Sequence, residues 1–151
     1  MPLPANISIL TARWKSEGIE LLPPEAPSLI EEVFQSVGSK ATGDILAVYQ
    51  ALGGMAEMDD EQWRLWSLEE IHEANDGSTE PGVLFSDYLI DCYQYRLRPV
   101  DDAVSEVWVE GFDFGPAVRI ARSLEDFFAI YIANPDAVLK APSRPEYAKS
   151  S

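Results

Sequence analysis

Residues 55–71 read MAEMDDEQWRLWSLEEI, and within them Glu57, Asp59, Asp60 and Glu61 gather four carboxylates beside Trp63. Carboxylates this crowded can hold a hard cation, supply an acid and a base, or form an acidic surface. A calcium loop needs alternating acids around a glycine and a distal glutamate, a pattern this stretch lacks. Farther on, Glu69 and His72 stand three apart, the spacing of half a carboxylate-bridged metal site. The other half is missing, and His72 is the only histidine in the chain. The expectation is no metal and no cofactor, with Glu69 and His72 on a solvated helix face.

Asp87 and Asp91 flank Tyr88-Leu89-Ile90, and on an unbroken strand they point to the same side. Paired carboxylates can act as acid and base in glycoside hydrolysis. Acids beside a turn are also ordinary local hydrogen-bonding groups, and that structural reading is preferred. No Gly-x-Ser-x-Gly elbow is present, and no glycine-rich phosphate loop follows a strand; Gly53-Gly54 reads as a helix stop. Nothing assembles an enzyme, and an acid-dependent hydrolase using Asp87 and Asp91 is the least favoured alternative.

Trp63 and Trp66 straddle Arg64 and Leu65. If residues 63–66 are extended, Trp63 and Leu65 share one side, and Arg64 and Trp66 the other. One tryptophan then packs into the core while the other stays partly exposed, where tryptophan is a common binding hot spot. Burial of both is the competing reading.

Eleven basic residues against 26 acidic ones give a net charge of −15 over 151 residues. Nucleic-acid and membrane-surface binding draw on clustered lysine and arginine, so direct contact with nucleic acid or membrane is disfavoured. A basic protein partner would be steered toward this surface. The single cysteine, Cys92, excludes an intrachain disulfide and reads as a small buried hydrophobe. No apolar run reaches spanning length and no signal-peptide pattern opens the chain, so a cytoplasmic location is expected.

The elements that must position these groups divide the chain into an N-terminal arm (1–26), a domain (27–139) and a solvated tail (140–151). A first helix starts at Ser28, with Glu31 placed for a capping box, and ends at Gly38. A second follows Thr42 and Asp44 and buries Ile45, Val48, Tyr49 and Leu52. A third is capped by Ser67 with Glu70 and closes at Asn75-Asp76-Gly77. From Val83 the period turns toward two, predicting strands over Tyr88–Ile90, Cys92–Leu97, Glu106–Glu110 and around Val118–Ala121. Ser123 with Asp126 opens a last helix ended by Asn134-Pro135. Strands in one run between helices predict an α+β fold with a central, mostly antiparallel sheet.

The ordered set Ala51-Leu52-Gly53-Gly54, Arg64-Leu65-Trp66-Ser67-Leu68-Glu69-Glu70-Ile71, Leu84-Phe85-Ser86-Asp87-Tyr88-Leu89-Ile90-Asp91 and Ser123-Leu124-Glu125-Asp126-Phe127-Phe128 resembles the SUKH superfamily. That group includes a fungal cell-wall synthesis regulator and many bacterial toxin-immunity proteins. The resemblance covers residues 28–133, with two departures. Lys40-Ala41-Thr42-Gly43-Asp44 stands where members often carry Leu-Pro, and Ser86 stands where they often carry glycine. The resemblance implies an α+β domain without catalysis that neutralises a cognate toxin, often a nuclease, by stoichiometric binding. A regulatory or scaffold adaptor for cellular proteins is the alternative. The expected contacts to a basic toxin domain are Glu57, Asp59, Asp60, Glu61, Asp101 and Asp102, with Trp63 as an anchor.

Overall fold

The switch of period at Val83 is realised as a helical half followed by an antiparallel meander. The computed structural model describes residues 2–111 and 116–139. Helices α1 (Leu3–Ser16), α2 (Pro27–Ser36) and α3 (Gly43–Ala51) precede β1 (Trp63–Leu65) and α4 (Leu68–Asn75). Strands β2 (Val83–Tyr88), β3 (Tyr93–Pro99), β4 (Ser105–Gly111) and β5 (Val118–Ala121) follow, then α5 (Leu124–Ala133) and α6 (Asp136–Leu139). The sheet order is β1-β2-β3-β4-β5, each pair antiparallel. The fold is α+β, with the helices flanking the sheet.

Alternation assigns the two faces of the sheet. Leu65, Tyr95, Leu97, Val107 and Val109 point to one side and are buried. On that side Trp63 stacks on Trp14 of α1 at 5.9 Å and meets Phe127, Phe128 and Tyr131 of α5 at 5.4–6.1 Å. The other side is polar. Arg96 pairs with Glu110 at 2.5 Å, Arg119 with Glu106 at 3.0 Å, and Arg98 lies 3.8 Å over the Trp108 ring. Strand β1 is short, so the start of β2 lacks a neighbour on that edge. The Asn75 side chain takes its place, accepting from Leu84 N at 2.8 Å and donating to Leu84 O at 2.9 Å. A buried backbone edge must find such partners.

The N-terminal segment is a helix packed into the core and not a separate arm. Leu3, Ile7, Leu10 and Trp14 recur at helical spacing and are buried against α3 and α5. Residues 20–22 then run antiparallel to 53–56, with Leu22 N donating to Gly54 O at 2.9 Å and Ala56 N to Glu20 O at 3.0 Å. Here Gly53 is required by close approach, because a Cβ would lie 2.4 Å from Pro23 O. Helix α2 begins at Pro27, whose missing N–H suits the first turn, so the Ser28–Glu31 capping box does not form. The Ser67–Glu70 box does form at α4, and Ser123 caps α5 through Asp126 N. The predicted tail 140–151 lies outside the described residues.

The stretch Tyr88–Ile90 is not a continuous strand. Leu89, Ile90 and Asp91 have φ of 56°, 49° and 66°, turning the chain between β2 and β3. With Gln62 at φ 71°, they are the non-glycine residues of left-handed backbone among the described residues. Leu89 N donates to Gln62 O at 3.1 Å, so all four belong to one pair of touching loops. A β-branched residue such as Ile90 is held there against about 1–3 kcal/mol of backbone strain.

Candidate functional site

The acidic stretch divides by burial. Asp59 is 5% exposed and receives Trp14 Nε1 at 2.8 Å and the Tyr131 hydroxyl on one oxygen. Glu61 N and Trp63 N donate to its other oxygen, each at 3.0 Å. Four donors from α1, the 59–63 turn and α5 thus converge on one carboxylate. Asp59 is an interior knot, not a contact residue. Trp63 is fully buried in the aromatic cluster, and its Nε1 has no hydrogen-bond partner among the described residues. Its proposed role as a partner anchor is corrected by that burial, which leaves no indole surface to present.

Glu57, Asp60 and Glu61 are exposed, and none of the three makes an ion pair among the described residues. Asp60 N donates to Glu17 Oε1 at 2.9 Å, which brings a further carboxylate to the same rim. Asp101 and Asp102 are exposed as well, but they turn the chain between β3 and β4. Asp101 Oδ1 accepts from Ala103 N at 2.8 Å and Val104 N at 2.9 Å. Asp102 pairs with Lys40 at 2.9 Å, and that hydrogen bond holds its carboxyl below the usual range. The 57–61 loop adjoins the Tyr88–Tyr93 end of the β2–β3 hairpin, whereas residues 101–102 leave the opposite end of β3. The six expected acidic contacts therefore do not form one surface.

Trp66 also lies inside, 6% exposed, with Nε1 donating to Asp87 Oδ1 at 2.6 Å. The alternation across β1 is as expected, but both tryptophans are covered, one by each side of the sheet. Asp87 is 7% exposed; its second oxygen accepts from Asp91 N at 3.0 Å, and Arg64 Nε stands 3.9 Å away. The left-handed turn removes the premise that Asp87 and Asp91 project from one unbroken strand. Asp87 is engaged as an acceptor that closes that turn.

Arg64 makes a two-pronged contact with Glu70 at 3.0 and 2.6 Å. This raises the guanidinium further from its ordinary range. Burial pushes the Glu70 carboxyl up, but the Arg64 and Ser67 hydrogen bonds outweigh it and leave it lowered. Beside this pair a cavity of 390 Å3 opens between α4 and the hairpin, lined by Arg64, Glu70, Glu73, Asp91 and Gln94 among others. A smaller one of 230 Å3, also bordered by Asp91 and Gln94, is lined by Cys92, Glu110 and Gly111. Cys92 is half-buried at the hairpin, not in the core.

Two buried polar knots were not anticipated from the sequence. One is Asp59. The other is Asp44, which accepts from Thr42 Oγ1 at 2.5 Å, Ser105 N at 3.0 Å and Leu124 N at 3.2 Å. It joins the starts of α3, β4 and α5. The signal available was Thr42-x-Asp44 at a helix start, which reads equally as an ordinary cap. Glu69 and His72 both lie on the exposed side of α4, where His72 Nδ1 meets Ser36 Oγ at 3.0 Å. No group of three or more potential metal ligands occurs among the described residues. Among these residues, too, no helix is long and apolar enough to cross a membrane. Comparison of the chain with protein-family models and with curated proteins finds no match.

Proposed function

We propose that the protein is a SUKH-type immunity protein that neutralises a cognate bacterial toxin in the cytoplasm by stoichiometric binding. Its acidic rim meets a basic surface of the toxin and occludes it. The observation that carries this reading is the trio Glu57, Asp60 and Glu61, exposed and without an ion pair among the described residues, on a chain of net charge −15. Desolvating such carboxylates is offset only by a partner that brings positive charge, and the same charge accelerates encounter at low salt.

The test is co-expression with the product of the adjacent gene. The expected result is rescue of growth and co-purification of a complex whose association slows as salt is raised. Triple replacement of Glu57, Asp60 and Glu61 by lysine is expected to slow association by about tenfold or more. Absence of both rescue and co-purification overturns the immunity reading.

A further inference from the structure

We propose that the sheet end formed by residues 57–62 and 89–92 is the docking surface, with Ile90 as its apolar anchor, for a basic segment of a protein partner. This rests on the reading that the protein works by binding a basic protein, and it names where. Three observations converge on the same few residues. First, Ile90 is 71% exposed, the highest among the exposed large apolar side chains of the described residues, and Met58 on the adjoining loop is 37% exposed. Second, the four left-handed non-glycine residues, Gln62, Leu89, Ile90 and Asp91, lie in these two loops alone among the described residues. Strained backbone persists where surrounding contacts fix it, and it concentrates at binding sites. Here the fixing contacts are Leu89 N to Gln62 O, Cys92 N to Leu89 O, and Asp91 N to Asp87 Oδ2.

Third, the exposed charges on these two loops are acidic. Glu57, Asp60, Glu61 and Asp91 are exposed there, and Asp91 also borders the 390 Å3 cavity, where Glu70 and Glu73 stand and Arg64 is already paired with Glu70. Apolar centres ringed by charge are the anatomy of a recognition surface, in which the rim selects the partner and the centre holds it. The complement is a segment with an apolar recess for Ile90 and flanking arginine or lysine, one of which reaches toward the Asp91 side of the cavity. Asparagine would suit the backbone at position 90 better than isoleucine, because it tolerates left-handed φ.

The experiment titrates the full chain with a short peptide of alternating arginine and leucine and follows backbone amides by NMR. Shifts centred on residues 57–62 and 89–92 are expected, diminishing with salt. Ile90→Asn is expected to leave the melting temperature unchanged or raised while weakening the peptide about tenfold. Glu32→Gln, on the exposed side of α2, is expected to bind like the parent chain. Absence of binding, shifts centred on Asp101 to Val104, or an unaltered affinity of Ile90→Asn overturns the proposal. The neighbouring gene product takes no part in this measurement, so its outcome is separate from that of the immunity test.

Discussion

Asp59 stands four residues before Trp63 in a run of acids, and nothing in its neighbours' chemistry sets it apart. The difference lies in what reaches it. An acceptor surrounded by four donors cannot be exchanged for an amide, since the amide nitrogen would face donors and leave them unpaired. Asp59→Asn is expected to lower unfolding free energy by about 2–3 kcal/mol, measured by denaturant titration. Glu57→Gln, Asp60→Gln and Glu61→Gln should each stay within about 0.5 kcal/mol of the parent. Residue type alone cannot distinguish these neighbours, because two of the four donors on Asp59 come from Trp14 and Tyr131, 45 and 72 positions away.

At the level of elements, α1 is a structural member of the domain. Its Leu3, Ile7, Leu10 and Trp14 are buried, and Leu3 N donates to Glu125 Oε1 of α5 at 3.0 Å. Removal of residues 1–17 is expected to abolish the cooperative unfolding transition, read by far-UV circular dichroism during thermal melting. A detachable arm would leave it intact. Local grammar was readable wherever the determining contact is local. The Ser67–Glu70 box, the Ser123 cap and the alternation of Val107 and Val109 each act within a few residues. The start of α1 was hidden by Pro2 and Pro4, which open a helix as readily as they break one. The hairpin was hidden by Leu89-Ile90, which give no turn signal, in a turn held left-handed by Gln62 O and the Asp87 carboxylate. The acidic rim was recognisable in composition, but its split from Asp59 and from Asp101–Asp102 depends on sheet geometry.

For the molecule as a whole, three interior phenols set an alkaline limit. Burial raises Tyr49, Tyr95 and Tyr131 above the ordinary value of 10.0; the negative charge of Glu70 adds to the shift at Tyr49 and that of Asp59 at Tyr131. A raised phenol favours the folded state fully below the unfolded value near 10.0, and that contribution declines as pH rises above it. The melting temperature is therefore expected to drop above pH 10, with phenolate absorbance of these three residues appearing together with unfolding, not before it. The meander has a different consequence, one of timing. Every strand neighbours the next in sequence, so the sheet can zip progressively as the chain leaves the ribosome. Helix α1 precedes all of these strands, yet its partner on the far side of the Trp63 cluster is α5, and the bond from Leu3 to Glu125 spans 122 residues. Helix α1 is thus only partly held until α5 has been made, and its apolar stripe must wait for residues 124–133 to be covered fully.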